Sequence, residues 1–191
     1  MPNDDGRRAF PILVTQRLVL RETRLSDAAD VFGIASDPEV QRWDGGPVED
    51  MDTVRAWIRE AQADADAGRG YRWAITEEPH DSAIGDVTLT NWSKAHYRAE
   101  IGYALARDYW RRHIDSEAVW AVVRFAFEEL GLHRVEAFPT GDNIASVRLL
   151  ESLGFVREGT AREVLLMDDG RYHDVGQYSM LSREYRQVGH P

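Results

Sequence analysis

Asn143 and Ser146 stand three residues apart at the start of a helix-forming segment, which sets an amide and a hydroxyl on the same side of that helix. One structural role is open to both, since Asn is a preferred N-cap and Ser is ordinary at the third helical position. Glu100 opens a strand ahead of Ile101, Gly102 and Tyr103. A carboxylate there could accept a proton directly or through a water, or bind an ammonium. It could equally be a plain strand residue paired with an arginine such as Arg98, and strand alternation lets only one of Glu100 and Ile101 face a substrate. Trp43, Trp92 and Tyr178 offer aromatic faces suited to a cation, with core packing as the alternative for each. The six histidines, at 80, 96, 113, 133, 173 and 190, show no metal-ligand spacing, so no metal site is expected. No Ser-His-Asp arrangement follows from spacing either. With no cysteine, the chain has no disulfide, thiolate metal site or thiol nucleophile.

These residues need elements to hold them. Arg17 to Arg21 alternates as a first strand, and Ser26 stands where an N-cap is expected ahead of Ala29, Phe32 and Ile34. Val54, Trp57, Ile58, Ala61 and Ala65 recur at helical spacing over 51–67, and Gly68 and Gly70 stop that helix. Strands are expected over 71–76, 83–92 and 99–105. A broad apolar stripe over 115–130 predicts a helix packed on a sheet. A strand over 133–138, a helix over 143–152 closed by Gly154, and strands over 155–167 and 172–181 joined at Asp168-Asp169-Gly170 complete the chain. The order βααβββαβαββ gives a mixed sheet with helices on both faces. One domain is expected over 10–185, with flexible ends at 1–9 and 186–191.

With 191 residues, the chain suits a single domain. Its net charge of -10 disfavours nucleic-acid binding, which rests on basic patches, and mildly favours a cationic partner such as an amine. No apolar run approaches a membrane span, and residues 1–8 lack the apolar segment of a signal peptide, so a cytoplasmic protein without membrane partners is expected.

Several stretches together resemble the GNAT superfamily of N-acyltransferases, in particular the branch of the ribosomal-protein alanine N-acetyltransferases. "TQRLVLRETRLSDA" is similar to that branch's first strand and helix, and "EIGYALARDYW" to its fourth strand. "SEAVWAVVRFAFEELGLHRVEA" is similar to its central helix and fifth strand, and "DNIASVRLLESLGFVREG" to its Asn-x-x-Ser helix. The resemblance spans about residues 15–183. It implies an α/β (α+β) GNAT fold with a mostly antiparallel sheet of about seven strands and about four helices, as a monomer or homodimer.

It also implies a reaction in which a primary amine attacks the thioester of acetyl-CoA. Ser146 is then the candidate acid for the leaving thiolate, Asn143 a cofactor or water ligand, and Glu100 the amine's proton acceptor. Backbone groups of Ala104, Leu105 and Ala106 would meet pantetheine where the fourth and fifth strands splay. Trp43, Trp92 and Tyr178 would line the acceptor pocket, with Asp174, Arg162 and His133 as structural residues.

The family's acyl-CoA loop, Q/R-x-x-G-x-G/A, offers a helix N-terminus to the diphosphate. Here the corresponding stretch is Trp110-Arg111-Arg112-His113-Ile114-Asp115-Ser116, with Arg111 and His113 at the glycine positions. Arg111, Arg112 and His113 supply positive charge, and Ile114 and Ser116 backbone. Asp115 is expected to act as an N-cap and to repel the phosphates by roughly 1 to 4 kcal/mol. Three functions follow: an acetyl-CoA-dependent transferase acting on a small-molecule or peptide amine, a GNAT-fold enzyme that does not use acetyl-CoA, or a ligand-binding protein.

Overall fold

The computed structural model describes residues 9–188, so the expectation for 1–8 lies outside the described residues, as does that for 189–191. Eight strands form one sheet in the order β1-β2-β3-β4-β5-β6-β8-β7. They are β1 (Leu13–Val14), β2 (Leu18–Glu22), β3 (Tyr71–Glu77), β4 (Gly85–Ser93), β5 (Arg98–Leu105), β6 (Arg134–Ala137), β7 (Val156–Leu166) and β8 (Tyr172–Leu181). The helices are α1 (Ala28–Ala35), α2 (Pro38–Gln41), α3 (Met51–Asp66), α4 (Ile114–Glu128), α5 (Ile144–Ser152) and α6 (Ser182–Val188). The two-residue β1 accounts for the extra strand, and the short α2 and α6 for the extra helices. Helix α6 crosses the boundary drawn at 185 from sequence, so 186–188 form its last turn.

Every strand pair is antiparallel except β5 with β6. Alternation gives the sheet two distinct faces. Trp73 and Ile75 of β3, Val87 and Leu89 of β4, and Ala99 and Ile101 of β5 are buried with Ala118, Val119 and Val122 of α4 in the main core. The opposite face carries Arg72, Asp86, Thr88, Thr90 and Glu100, beneath a smaller cluster where Ala28 and Ala35 of α1 meet Val54 and Ile58 of α3.

The caps explain where the helices begin. Asp50 accepts the Thr53 N–H at 2.8 Å ahead of α3, and Asn143 accepts the Ser146 N–H at 3.1 Å ahead of α5. Ser26 is no cap: it lies inside a 3-10 turn, Leu25–Asp27, in which Asp27 accepts the Arg24 N–H. Asp27 also takes a forked contact from the buried Arg21 at 2.8 and 2.9 Å, which ties β2 to this turn.

Candidate active site

The parallel pairing of β5 with β6 stops at Glu100 and Glu136, while β5 runs on to Leu105. A gap therefore opens along the second half of β5. Ala106 N–H donates to Ile84 O at 2.9 Å, and Leu105 pairs with Gly85 in register. By the antiparallel alternation, Ala104 and Ala106 turn their backbone groups to β4, and Tyr103 and Leu105 turn theirs to the gap. The expected trio of Ala104, Leu105 and Ala106 thus shifts. Leu105 O is already held by the Trp110 indole N–H at 2.8 Å, and Leu105 N–H and both backbone groups of Tyr103 have no partner among the described residues.

Tyr103 also spans the gap with its side chain. Its hydroxyl lies 2.7 Å from Ser146 Oγ on the first turn of α5. Burial pushes the phenol far above its ordinary range, the Ser146 hydrogen bond opposes this, and the charge of Asp115 adds to it. Asn143 uses its side-chain oxygen as the α5 cap, so its capping role is real.

The loop before α4 keeps a glycine-like backbone without glycines. Arg111 and His113 adopt left-handed φ values of 61° and 56°, at a cost of about 1–2 kcal/mol each. His113, not Asp115, occupies the cap position, and its side chain makes no cap hydrogen bond. Asp115 lies inside the first turn, where it accepts the Ser116 N–H at 2.8 Å. It therefore removes one helix donor from the seat rather than closing it. The five N–H groups from Arg111 to Asp115 have no acceptor among the described residues. Arg111 is exposed and has no partner among those residues, while Arg112 reaches Glu77 at 3.1 Å and stacks its guanidinium on Tyr109. A ready anion seat thus adjoins the open edge of β5, so the residues present fit a diphosphate-bearing acyl donor.

On the other sheet face lies a cleft of about 770 Å³, walled by α1, α3 and the loop after α2. Glu100 lines it and accepts from Asn91 Nδ2 at 2.8 Å; Arg98 pairs with Glu136 instead. Asn91 reaches Glu100 because a bulge between Thr90 and Ser93 puts it at φ 48°. Trp92 lines the cleft with Lys94 over its ring, whereas Trp43 lies just outside, its carbonyl accepting from Thr140. Tyr178 is a core residue, 3% exposed, and leaves the acceptor set because its ring packs in the main core.

Sequence reasoning missed Tyr103, Asp44, Glu60, Asp64 and Asp86, all on the cleft wall. Asp86 was within reach of strand alternation, which puts it on the same face as Glu100. Desolvation pushes its carboxyl up, against Arg72 at 3.3 Å, with Asp44 adding to the rise. Asp64 is paired with Arg69, and Asp44 and Glu60 have no cationic partner among the described residues. No cluster able to hold a metal ion occurs among the described residues. Nor is any described helix long and apolar enough to cross a membrane.

Residues 17–156 match the family described as "Acetyltransferase (GNAT) domain". The uncharacterized N-acetyltransferase YoaA of Bacillus subtilis is 37% identical over 175 residues, covering 90% of this chain and 97% of that protein. The spermidine N(1)-acetyltransferase of Vibrio cholerae is 24% identical over 173 residues, 90% of this chain and 97% of that one. The crystal structure of ribosomal-protein-S5-alanine acetyltransferase from Vibrio fischeri superposes with a TM-score of 0.77 at 22% identity, over 92% of this chain and 98% of that one. The match over residues 17–156, together with the gap beside β5 and the N–H groups before α4, shows that the chain belongs to the GNAT family of N-acetyltransferases.

Proposed function

We propose that the protein transfers an acetyl group from acetyl-CoA to the primary amine of a cationic small molecule or peptide. The observation that carries this reading is the run of five N–H groups, Arg111 to Asp115, without an acceptor among the described residues, beside the open edge of β5. Acetyl-CoA supplies an activated thioester, and everything else falls to the chain's own residues.

Glu100, hydrogen-bonded to Asn91, takes the proton from the amine as its nitrogen bonds to the acetyl carbon. The open N–H groups of Tyr103 and Leu105 are the nearest backbone donors for the carbonyl oxygen as negative charge develops on it. As the carbon–sulfur bond breaks, Ser146 gives its proton to the thiolate and Tyr103 replenishes it through their 2.7 Å contact; water then returns a proton to the Tyr103 oxygen, and Glu100 releases its own to solvent. The carboxylates Asp44 and Glu60, which have no cationic partner among the described residues, favour an acceptor with positive charge. A relative named for spermidine, a polyamine, fits that expectation.

Titration of the purified protein with acetyl-CoA by calorimetry tests the donor, with a thiol-release assay over a panel of amines. The expected result is micromolar binding and thiol release that grows with a cationic amine. No binding at millimolar acetyl-CoA overturns the reading.

A further inference from the structure

Behind the anion seat lies a hydrogen-bonded cluster that the acyl-transfer chemistry above leaves unused. Arg17, in the turn before β2, donates from Nη1 to Arg112 O at 3.0 Å and from Nη2 to His113 O at 3.1 Å. Its Nε reaches Glu117 Oε2 at 2.7 Å. Glu117 Oε1 in turn accepts the Arg17 N–H at 3.0 Å and the Thr15 hydroxyl at 2.6 Å. The turn is closed on itself, with Thr15 N–H donating to Leu18 O and Leu18 N–H to Thr15 Oγ, both at 3.0 Å. A guanidinium about a hundred positions earlier in the chain therefore grips two successive carbonyls of the loop.

The consequence follows from peptide geometry. In a planar trans peptide, the carbonyl oxygen of one residue and the N–H of the next point in opposite directions. Holding Arg112 O and His113 O toward Arg17 turns the His113 and Ile114 N–H groups the other way, into the anion seat. Those are two of the five donors without an acceptor. The grip also explains how Arg111 and His113 keep left-handed backbone that residues other than glycine leave readily. Glu117 fixes the guanidinium in turn, and its carboxylate sits in the first turn of α4, where the helix dipole also favours negative charge.

We infer that Arg17 is a positioning residue for the diphosphate of the acyl donor: it orients the loop's N–H groups without touching the donor itself. This rests on the reading of the seat as an acetyl-CoA site. It also accounts for a loop that has lost its glycines yet keeps their conformation, since an external fork replaces the freedom glycine would have given.

The test compares wild type, Arg17→Ala and Arg17→Lys in CoA binding by calorimetry. In parallel, thiol release is measured from acetyl-CoA and from S-acetylpantetheine, which carries the thioester but no diphosphate. Arg17→Ala is expected to weaken CoA binding about tenfold or more, as befits two lost hydrogen bonds from a charged donor. Thiol release from S-acetylpantetheine should be unchanged. Arg17→Lys should restore little, because an ammonium cannot fork to two carbonyls and a carboxylate. Unchanged CoA affinity in Arg17→Ala overturns the inference. An equal loss with both donors, or full rescue by lysine, overturns it too. Should Arg17→Ala fail to fold, Glu117→Gln is read by the same criteria, with a smaller loss expected. If wild type itself fails to bind CoA, the acetyl-CoA reading falls and takes this one with it. An indifferent Arg17→Ala in a CoA-binding wild type removes this one alone.

Discussion

The hydroxyls of Tyr103 and Ser146 meet at 2.7 Å, joining the unpaired edge of β5 to the first turn of α5 across the gap. The Ser146 carbonyl lies 3.4 Å from the same phenol, so Tyr103 has two acceptors within reach and one proton to give. Burial holds the phenol protonated well beyond the ordinary tyrosine range.

Ser146→Ala is expected to lower kcat about a hundredfold, the usual worth of a placed acid, with the KM for acetyl-CoA unchanged. Tyr103→Phe should lower kcat less, since Ser146 keeps its own proton. Because the Tyr103 pKa is raised, the rate should show no alkaline fall from this group within the ordinary tyrosine range. Thiol release at saturating acetyl-CoA, followed against pH, reads both points. An undiminished kcat in Ser146→Ala removes the hydroxyl from the mechanism.

Asp115 is the feature of the loop that opposes an anion. Its carboxylate adds negative charge at the seat and ties up the Ser116 N–H at 2.8 Å. Asp115→Ala should strengthen CoA binding about fivefold or more, for a repulsion of at least 1 kcal/mol. His113→Gly is a different experiment, because the backbone there is already left-handed. It should raise Tm by about 2–4 °C for a chain of this size and leave CoA affinity alone. The double variant should then bind CoA no more tightly than Asp115→Ala. Calorimetry and thermal melts separate the two effects, and weaker binding in Asp115→Ala refutes this account of the loop.

The sheet and its helices were legible in the sequence because their signals are periodic. Alternation from Tyr71 to Leu105 and the stripe from Val119 to Ala126 fix which faces are buried, while Asn143 marks the start of α5 and Gly68 the end of α3. Of the proposed site, only residues whose role would be played within their own element, Ser146 and Glu100, could be picked out from the sequence. The grip of Arg17 on Arg112 and His113, and the meeting of Tyr103 with Ser146, join residues far apart in sequence, and no local pattern announces them. Asp115 resembled a cap because side-chain type alone suggests one. Its position one residue inside the helix depends on the left-handed turn at His113, which residue type argues against. Tyr178 resembled a pocket aromatic because sequence gives a ring's chemistry and not its depth.

The edge of the sheet beyond the gap depends on charge. Arg134 on β6 donates to Glu158 on β7 at 2.7 and 2.5 Å and to Glu136 at 2.8 Å, while the Ser179 hydroxyl of β8 donates to Glu158 at 2.8 Å. The Arg134 and Ser179 hydrogen bonds pull the Glu158 carboxyl down to about 2 from an ordinary 4.5. A depressed carboxylate stabilises the fold above its unfolded pKa, and that contribution is lost as pH falls through the window from about 5 to 2. Glu158 is 41% exposed on its side chain, so solvent screening limits the pair to roughly 1 kcal/mol. Glu158→Gln should thus melt about 2–4 °C below wild type at pH 7, and the gap should close as pH falls through that window. Added salt should narrow it at pH 7 as well, because the pair is partly exposed. A gap that stays constant across pH and salt would mean that the Ser179 hydrogen bond and packing hold this corner, and that the charge on Glu158 does not.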